Sequence, residues 1–197
     1  CIRDRERTNR LYNFWMYELP YEFYKVQRYL LYAFLIFLVS AIIGVVSTAY
    51  DDSFPRVILG DNYVNMTLDN IKKGDPLAVY KSQDEASMFY MITTNNIKVS
   101  FMTFVSGILG GLGTVYMLFK NGVMLGSFQW FFYNQGLLKE SFLIIWIHGA
   151  LEISAIVIAG ASGLILGAGV VFPKTYKRSV SIVKNAKKAL KIIIGLV

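Results

Sequence analysis

The chain has 197 residues, of which 55% are apolar and 17% charged, and its formal net charge is +7. This balance is more apolar than that of an ordinary soluble domain, and the length allows one membrane domain but not two large ones. A charge of +7 would suggest a nucleic-acid partner for a soluble protein, but here the bases cluster at the two ends, and we expect no nucleic-acid partner. The single cysteine, Cys1, excludes an intrachain disulfide and a cysteine-based metal site.

Four long stretches carry almost no charge. Residues 29–50, 99–119 and 121–138 contain no charged side chain, and within 141–173 only Glu152 and His148 are charged or readily protonated. About 20 apolar residues are needed for a helix to cross a bilayer, and these stretches lack the period-two alternation of a barrel strand. The sequence therefore predicts an all-α polytopic bundle with about four membrane-crossing segments, a short broken or re-entrant helix, and an extracytoplasmic loop.

The distribution of charge predicts the orientation of the chain. Residues 1–28 carry six bases and residues 174–197 carry seven, whereas residues 51–90 carry seven acids and four bases. Because Lys and Arg gather in short cytoplasmic flanks, we expect both ends inside and the 51–90 loop outside a cytoplasmic (inner) membrane. The predicted parts are a juxtamembrane helix (1–28), a transmembrane domain (29–173) and a basic amphipathic cytoplasmic helix (174–197).

The basic C-terminal segment suits the anionic cytoplasmic leaflet, and it equally suits the positive flank of a following span. The chain opens without methionine and closes on an apolar stretch, residues 192–197. We therefore expect a fragment that lacks an N-terminal region and at least one further span.

The positions of glycine and proline predict where the helices end. The second helix is expected from Asn95 to Phe119, followed by a tight turn at residues 120–122. The apolar stretch 123–133 would cover about 16 Å, which is half the hydrocarbon thickness, so it is predicted to be a short tilted span or a re-entrant half-helix. A helix over 141–173 would be about 50 Å long, and we expect a break near His148 and Gly149. The 51–90 loop is expected to form a small ordered cap that contains a short helix over residues 64–72.

Small residues recur at four-residue spacing in two of the predicted helices. Such positions let helix backbones approach closely, and packing is what holds helices together in lipid. The pattern predicts either packing between helices of one chain or a homodimer face. The positions are Gly107, Gly111, Ala155, Ala159, Gly163 and Gly167.

Glu152 is the one acid inside any predicted span, and His148 lies one turn before it on the same helix face. Ionisable groups at membrane depth are costly and mark candidate sites. The pair is predicted to handle protons or cations in a membrane cavity, or to act as a polar clamp at a helix break. Two ligands alone do not specify a metal site. Other candidate partners of Glu152 are the upstream amides Asn95, Asn96 and Asn121.

The sequence has no glycine-rich phosphate loop, no His-Glu-x-x-His motif, and no Ser or Cys nucleophile beside a base. We therefore expect no enzymatic activity, no catalytic residue and no cofactor.

Several motifs, taken in this order, resemble the stage II sporulation protein M family. The resemblance covers about residues 90–195, and residues 14–90 more loosely. It implies a polytopic membrane protein, and it marks the positions of Asn95, Asn96, Asn121, His148 and Glu152 without assigning them a chemistry. The founding member belongs to a membrane complex that gathers peptidoglycan-degrading enzymes, while many relatives occur in bacteria and archaea that form no spores. The motifs are residues 94–101 (TNNIKVSF), 107–114 (GILGGLGT), 121–126 (NGVMLG), 148–153 (HGALEI) and 159–164 (AGASGL), followed by Pro173.

Two functions are compatible with these features. The first is a non-enzymatic membrane scaffold that organises other membrane or envelope proteins, such as peptidoglycan-remodelling enzymes, through its outer loop. The second is a transporter or channel-like protein, in which the short 123–133 helix and the pair His148 and Glu152 line a path. A scaffold requires an exposed apolar patch on the loop and a dry core, whereas a transporter requires a hydrated cavity that reaches Glu152.

Overall fold

The computed structural model describes residues 10, 12–74, 85–173 and 175–195. These residues form helices joined by short turns and contain no β-strand, which confirms the all-α prediction. A π-helical turn, Phe14–Glu18, leads directly into the first helix. The helices are α1 (Leu19–Tyr50), α2 (Phe54–Leu59), α3 (Asp61–Lys72), α4 (Glu85–Val105), α5 (Leu112–Asn134), α6 (Leu138–Val171) and α7 (Arg178–Ile194).

Two stretches of helix in the described ranges are long and apolar enough to cross a membrane, namely Phe14–Tyr50 and Gly149–Val171. The N-terminal stretch has a mean hydropathy of 2.6 over its most apolar window, of which 22% is buried. Apolar side chains that face outward belong in hydrocarbon rather than water, so this helix suits a lipid environment. The other two predicted crossings, for which α4 and α5 are the candidates, stay predictions.

The chain divides into two compact units. The hairpin unit comprises Cys1–Leu35, Phe101–Met117 and Ala155–Val197, and the cap unit comprises Ile36–Ser100 and Leu118–Ser154. Each unit is built from segments that are distant in sequence, because the long helices contribute their two halves to different units.

The hairpin unit contains the turn that joins α4 to α5, and this turn corrects a prediction. The helix expected from Asn95 to Phe119 is not continuous, because α4 ends at Val105 and a 3₁₀ turn follows. Gly110 and Gly111 then adopt φ angles of +68° and +89°, a region that favours glycine and ends a right-handed helix. Across the turn, the Thr114 hydroxyl donates a hydrogen bond of 2.8 Å to the Thr103 carbonyl. The result is a tight helical hairpin.

Glycines of α6 meet the tip of this hairpin at backbone distance. A Cβ atom added to Gly163 would lie 2.8 Å from the Thr103 carbonyl oxygen, and one added to Gly167 would lie 2.6 Å from the Cα of Gly111. Likewise, a Cβ on Gly107 would lie 2.7 Å from the Cα of Gly163. These distances are shorter than real Cβ contacts allow, so the helices can approach this closely because the side chains are absent.

An apolar core completes the hairpin unit and brings α7 into it. The core joins buried side chains of α1, α4, α6 and α7, so the last helix packs against the first one. Its buried members are Val26, Phe104, Ile165, Leu166, Ala189 and Ile192.

In the cap unit, α1 and α5 run in the same direction and contact each other. The contact corrects a second prediction. The expected turn at residues 120–122 does not form, because α5 is continuous from Leu112 to Asn134. Gly122 instead packs against α1, where an added Cβ would lie 2.6 Å from the Phe37 carbonyl oxygen. One turn later, a Cβ on Gly126 would lie 2.9 Å from the Val45 nitrogen. The short helix predicted over 123–133 is therefore the second half of a 23-residue helix.

Polar side chains also join α1 to α5. The Thr48 hydroxyl donates a hydrogen bond of 2.8 Å to the Gly44 carbonyl, and its oxygen also lies 2.8 Å from the Ser127 hydroxyl, from which it can accept a hydrogen bond. Thr48 and Ser127 are both buried. Because Thr48 bonds within its own helix as well as across the interface, its polar group remains satisfied in an apolar setting.

The helix α6 is unbroken, which corrects the expected interruption near His148 and Gly149. Its 34 residues give a length of about 51 Å, longer than one perpendicular crossing requires. Gly149 keeps the helical hydrogen-bonding pattern, and glycine is tolerated inside membrane helices. The helix α5 ends at Asn134, and Gly136 follows it with a φ angle of +72°.

The glycine contacts make the Gly163→Leu variant a direct test of the hairpin. We expect this variant to lose about 1–3 kcal/mol of unfolding free energy, because the leucine side chain would clash with backbone atoms of α4. The measurement is thermal or denaturant unfolding of the purified protein in detergent.

Ser154→Leu is the matched control, since Ser154 is exposed on the same helix and its replacement should change the unfolding free energy by no more than about 0.5 kcal/mol. Equal stability of the two variants would contradict the close helix contact.

Candidate functional site

The segment between α1 and α4 begins with an ordered cap made of α2 and α3. Val64 is 3% exposed and packs with Phe131 and Phe132, which are 6% and 1% exposed. Phe128 stacks on Phe132 with ring centroids 4.7 Å apart, within the range that favours aromatic pairs. The apolar face of α3 is therefore fixed on the aromatic end of α5. The short helix predicted over residues 64–72 exists but begins earlier, at Asp61. The part of the loop at residues 75–84 lies outside the described residues.

Polar contacts fix the way in which the chain enters the cap. The side chain and the backbone N–H of Ser53 donate to the Asp51 carboxylate at 2.7 and 2.8 Å. These hydrogen bonds lower the pKa of Asp51 below its usual value, because they favour the charged form. Arg56 then donates to the Asn65 side-chain oxygen at 2.7 Å and to Asp61 at 3.2 Å. The orientation of α2 relative to α3 is thus held by Arg56 as well as by the apolar contacts.

The outward face of the cap combines apolar and polar side chains. Val57 is 77% exposed and Met66 is 44% exposed, so two apolar side chains stand free on an ordered surface. The helix α3 also carries exposed side chains that can hydrogen-bond or carry negative charge. These are Asp61, Asn62, Asn65 and Asp69.

Three of the polar residues singled out from the sequence lie at similar heights along their helices. Asn96 lies nine residues before the last residue of α4, and Asn121 lies nine residues after the first residue of α5, so each is about 14 Å from the hairpin turn. The turn between α5 and α6 gives a second reference point. Asn121 lies 13 residues before the end of α5, and Glu152 lies 14 residues after the start of α6, which corresponds to about 20 and 21 Å along the helices. Asn96, Asn121 and Glu152 therefore lie at similar heights along their respective helices.

Each of these three residues also lies close to a whole number of helical turns from a residue that contacts another helix. Asn96 lies seven residues from Thr103 and Asn121 seven residues from Thr114, which is close to two full turns, and the two threonines are hydrogen-bonded to each other. Glu152 lies 11 residues, about three turns, from Gly163, which contacts the hairpin. Accordingly, all three polar side chains are half-buried. We define Asn96, Asn121 and Glu152 as the polar layer.

The other two candidates do not join the polar layer. Asn95 is exposed, because successive residues of a helix point about 100° apart and it therefore faces away from the side on which Asn96 lies. The backbone of His148 belongs to α6, but its side chain lies outside the described residues, so the predicted pairing with Glu152 stays a prediction.

Two buried polar groups in the cap unit were missed from the sequence. The Oε1 and Nε2 atoms of Gln129 and the Oγ atom of Ser100 are buried without a hydrogen-bond partner in the described structure. An unpaired amide in an apolar setting costs several kcal/mol in model transfer experiments, so Gln129 indicates a place where water or a bound molecule would be stabilised. The sequence signal for this site is a glutamine within the apolar stretch 121–138. Because glutamine is uncharged, it does not stand out when sites at membrane depth are identified by charge.

The polar layer can exchange hydrogen bonds and one proton, and it offers oxygen ligands from a single carboxylate and two amides. Across the described part of the chain, no group of three His, Cys, Asp or Glu side chains is placed to hold a metal ion. The geometry therefore gives two candidate sites, the outward face of the cap and the polar layer.

Comparison with known families agrees with the two long apolar helices. The family model described as Stage II sporulation protein M matches residues 33–197, so the match includes the hairpin, the cap and the polar layer. No curated protein and no solved structure matches the chain. The family is membrane-associated, and the family predicted from the sequence motifs is confirmed. The chain belongs to the stage II sporulation protein M family.

Proposed function

We propose that this protein is a non-enzymatic integral membrane scaffold that holds partner proteins at the cytoplasmic membrane. The observation that carries the proposal is the ordered cap, in which α3 is fixed on Phe131 and Phe132 while Val57 and Met66 remain exposed. A docking surface benefits from such rigidity, because little conformational entropy is lost when a partner binds.

The close contacts of glycine residues in both units also favour a scaffold. Backbone segments meet at Gly163, Gly167, Gly122 and Gly126, and such close packing gives a firm support for a docking surface. The proposed partners are other membrane or envelope proteins, with peptidoglycan-remodelling enzymes as the first class to examine because of the family.

The proposed topology has four crossings, supplied by α1, α4, α5 and α6, with both ends of the chain inside. The even number of crossings and the basic ends are consistent with each other. The cap then lies outside, where envelope proteins can reach it.

Cysteine labelling tests this topology in a Cys1→Ser background. Asn62→Cys, exposed on α3, should react with a membrane-impermeant thiol reagent in intact cells, whereas Ser179→Cys, exposed on α7, should react after the membrane is opened. The opposite labelling pattern would place the cap inside the cell and refute the proposed docking surface.

Photo-crosslinking tests the docking face directly. A photoreactive amino acid at Val57 or Met66 should form protein adducts of discrete mass in living cells, because both positions are exposed on the cap. The same residue at Leu143, which is 56% exposed on α6, is the control and should react mainly with lipid. The Val57→Asp/Met66→Asp variant should still fold and should lose co-purification of the crosslinked protein. Folded protein without adducts at either cap position would contradict the scaffold.

A transporter or channel-like function is the alternative, and two specific observations favour it. The polar layer contains the half-buried carboxylate of Glu152, and the buried amide of Gln129 lacks a protein partner among the described residues. Polar groups of this kind mark solute or ion pathways in membrane bundles.

The Glu152→Gln variant separates the two functions, because it keeps the side-chain shape and removes the titrating proton. A scaffold should fold, reach the membrane and keep the crosslinked partner with this substitution. A proton-coupled transporter should fold normally and lose proton flux, measured with a pH-sensitive dye trapped in proteoliposomes.

Glu152→Leu is the control for structure, since it should strand the neighbouring polar groups at a cost of about 1–3 kcal/mol. Proton flux in the unaltered protein that disappears in Glu152→Gln would favour the transporter over the scaffold.

A further inference from the structure

The end of the chain has an unusual distribution of charge. No acidic residue follows Glu152, and residues 174–191 carry seven bases. Four of these bases, at positions 177, 178, 184 and 187, are exposed in the structure. The region therefore has a strong positive potential that no acidic side chain of its own helix offsets.

The helix α7 packs into the apolar core of the hairpin unit. Ala189 and Ile192 are fully buried in the core that also contains Val26 and Ile165. Asn185 lies against Gly169, where a Cβ atom would meet its side chain at 2.7 Å. Because α7 touches parts of α1, α4 and α6, it packs across several helices and does not extend any one of them.

A second contact holds α7 at its C-terminal end. Lys191 donates a hydrogen bond of 2.9 Å to the Glu18 carboxylate, and this contact raises the pKa of Lys191 above its usual value. Lys191 is thus engaged within the protein, and the remaining exposed bases are the ones that can meet an external anion.

The face of α7 that points away from the core carries both apolar and basic side chains. Four apolar side chains on this face are between 44% and 58% exposed, and Lys184 and Lys187 lie beside them. Lysines with apolar neighbours keep their ammonium groups in the polar region while their stems cover apolar surface. An anionic leaflet offers phosphates and acyl chains side by side, which suits this mixture better than an acidic protein surface. The exposed apolar residues are Val180, Val183, Leu190 and Ile194.

We infer that the outward face of α7 is a binding surface for anionic phospholipid headgroups. The phosphates pair with Lys184 and Lys187 on this face and with Arg178, which is exposed at the first position of the helix, and the apolar side chains enter the headgroup boundary. Tyr176 supports this arrangement, because its hydroxyl accepts a hydrogen bond of 3.2 Å from Lys184 and holds that ammonium group near the α6–α7 turn. The inference is independent of whether the protein is a scaffold or a transporter.

The test uses the full chain, purified in a neutral detergent and titrated with phosphatidylglycerol or with phosphatidylcholine. Phosphatidylglycerol should raise Tm, because a ligand that binds the folded state stabilises it, and added salt should weaken the effect. The Arg178→Gln/Lys184→Gln/Lys187→Gln variant should need on the order of 100-fold more phosphatidylglycerol for the same rise in Tm, if each base contributes about a factor of five.

The control replaces three exposed bases in the cap unit, Lys72, Lys73 and Lys139, with Gln, and should leave the titration unchanged. Equal responses to the two lipids, or equal losses in the two triple variants, would overturn the inference.

A photoreactive residue at Val183 distinguishes a lipid from a protein as the occupant. It should give phospholipid adducts in cells, and a predominant protein adduct there would overturn the lipid assignment in favour of an acidic protein partner.

Discussion

The close approach of helix backbones at glycine is the constraint on which the rest of this structure depends. In lipid there is little hydrophobic force between helices, so van der Waals contact has to hold them together. Gly163 and Gly167 meet the hairpin, and Gly122 and Gly126 meet α1, with no room for a Cβ atom at any of the four. Each unit is thus fixed by its own glycine contact, and many bulky apolar side chains remain exposed.

This packing determines where polar groups can be tolerated. Thr103, Thr114, Thr48 and Ser127 are all buried, and each takes part in a hydrogen bond that spans two helices. The polar layer differs, because Asn96, Asn121 and Glu152 are half-buried and can reach both the protein and its surroundings.

The helical class and the family could be predicted because they depend on long uncharged stretches and on motif order. The helix ends could not be predicted reliably, because glycine has two opposite uses in this chain. At Gly110 and Gly111 it supplies positive φ and ends a helix, whereas at Gly122 it allows contact inside a continuous helix. A single sequence does not distinguish these uses, since the distinction depends on which helix lies opposite. Gln129 was missed for a related reason, because the burial of an uncharged amide depends on its tertiary neighbours. The helical position of Glu152 relative to Gly163, by contrast, follows from their spacing.

The packing of the last helix against the first has a consequence for biosynthesis. Val26 shares its core with Ile192, so its partner is synthesised 166 residues later. At ribosomal rates of about 5–20 residues per second, this interval is roughly 8 to 33 s. During that time the start of α1 lacks the helix that covers it. A chaperone or insertase that shields this surface would therefore act on the protein until translation is nearly complete, and errors late in the chain would leave an early helix exposed.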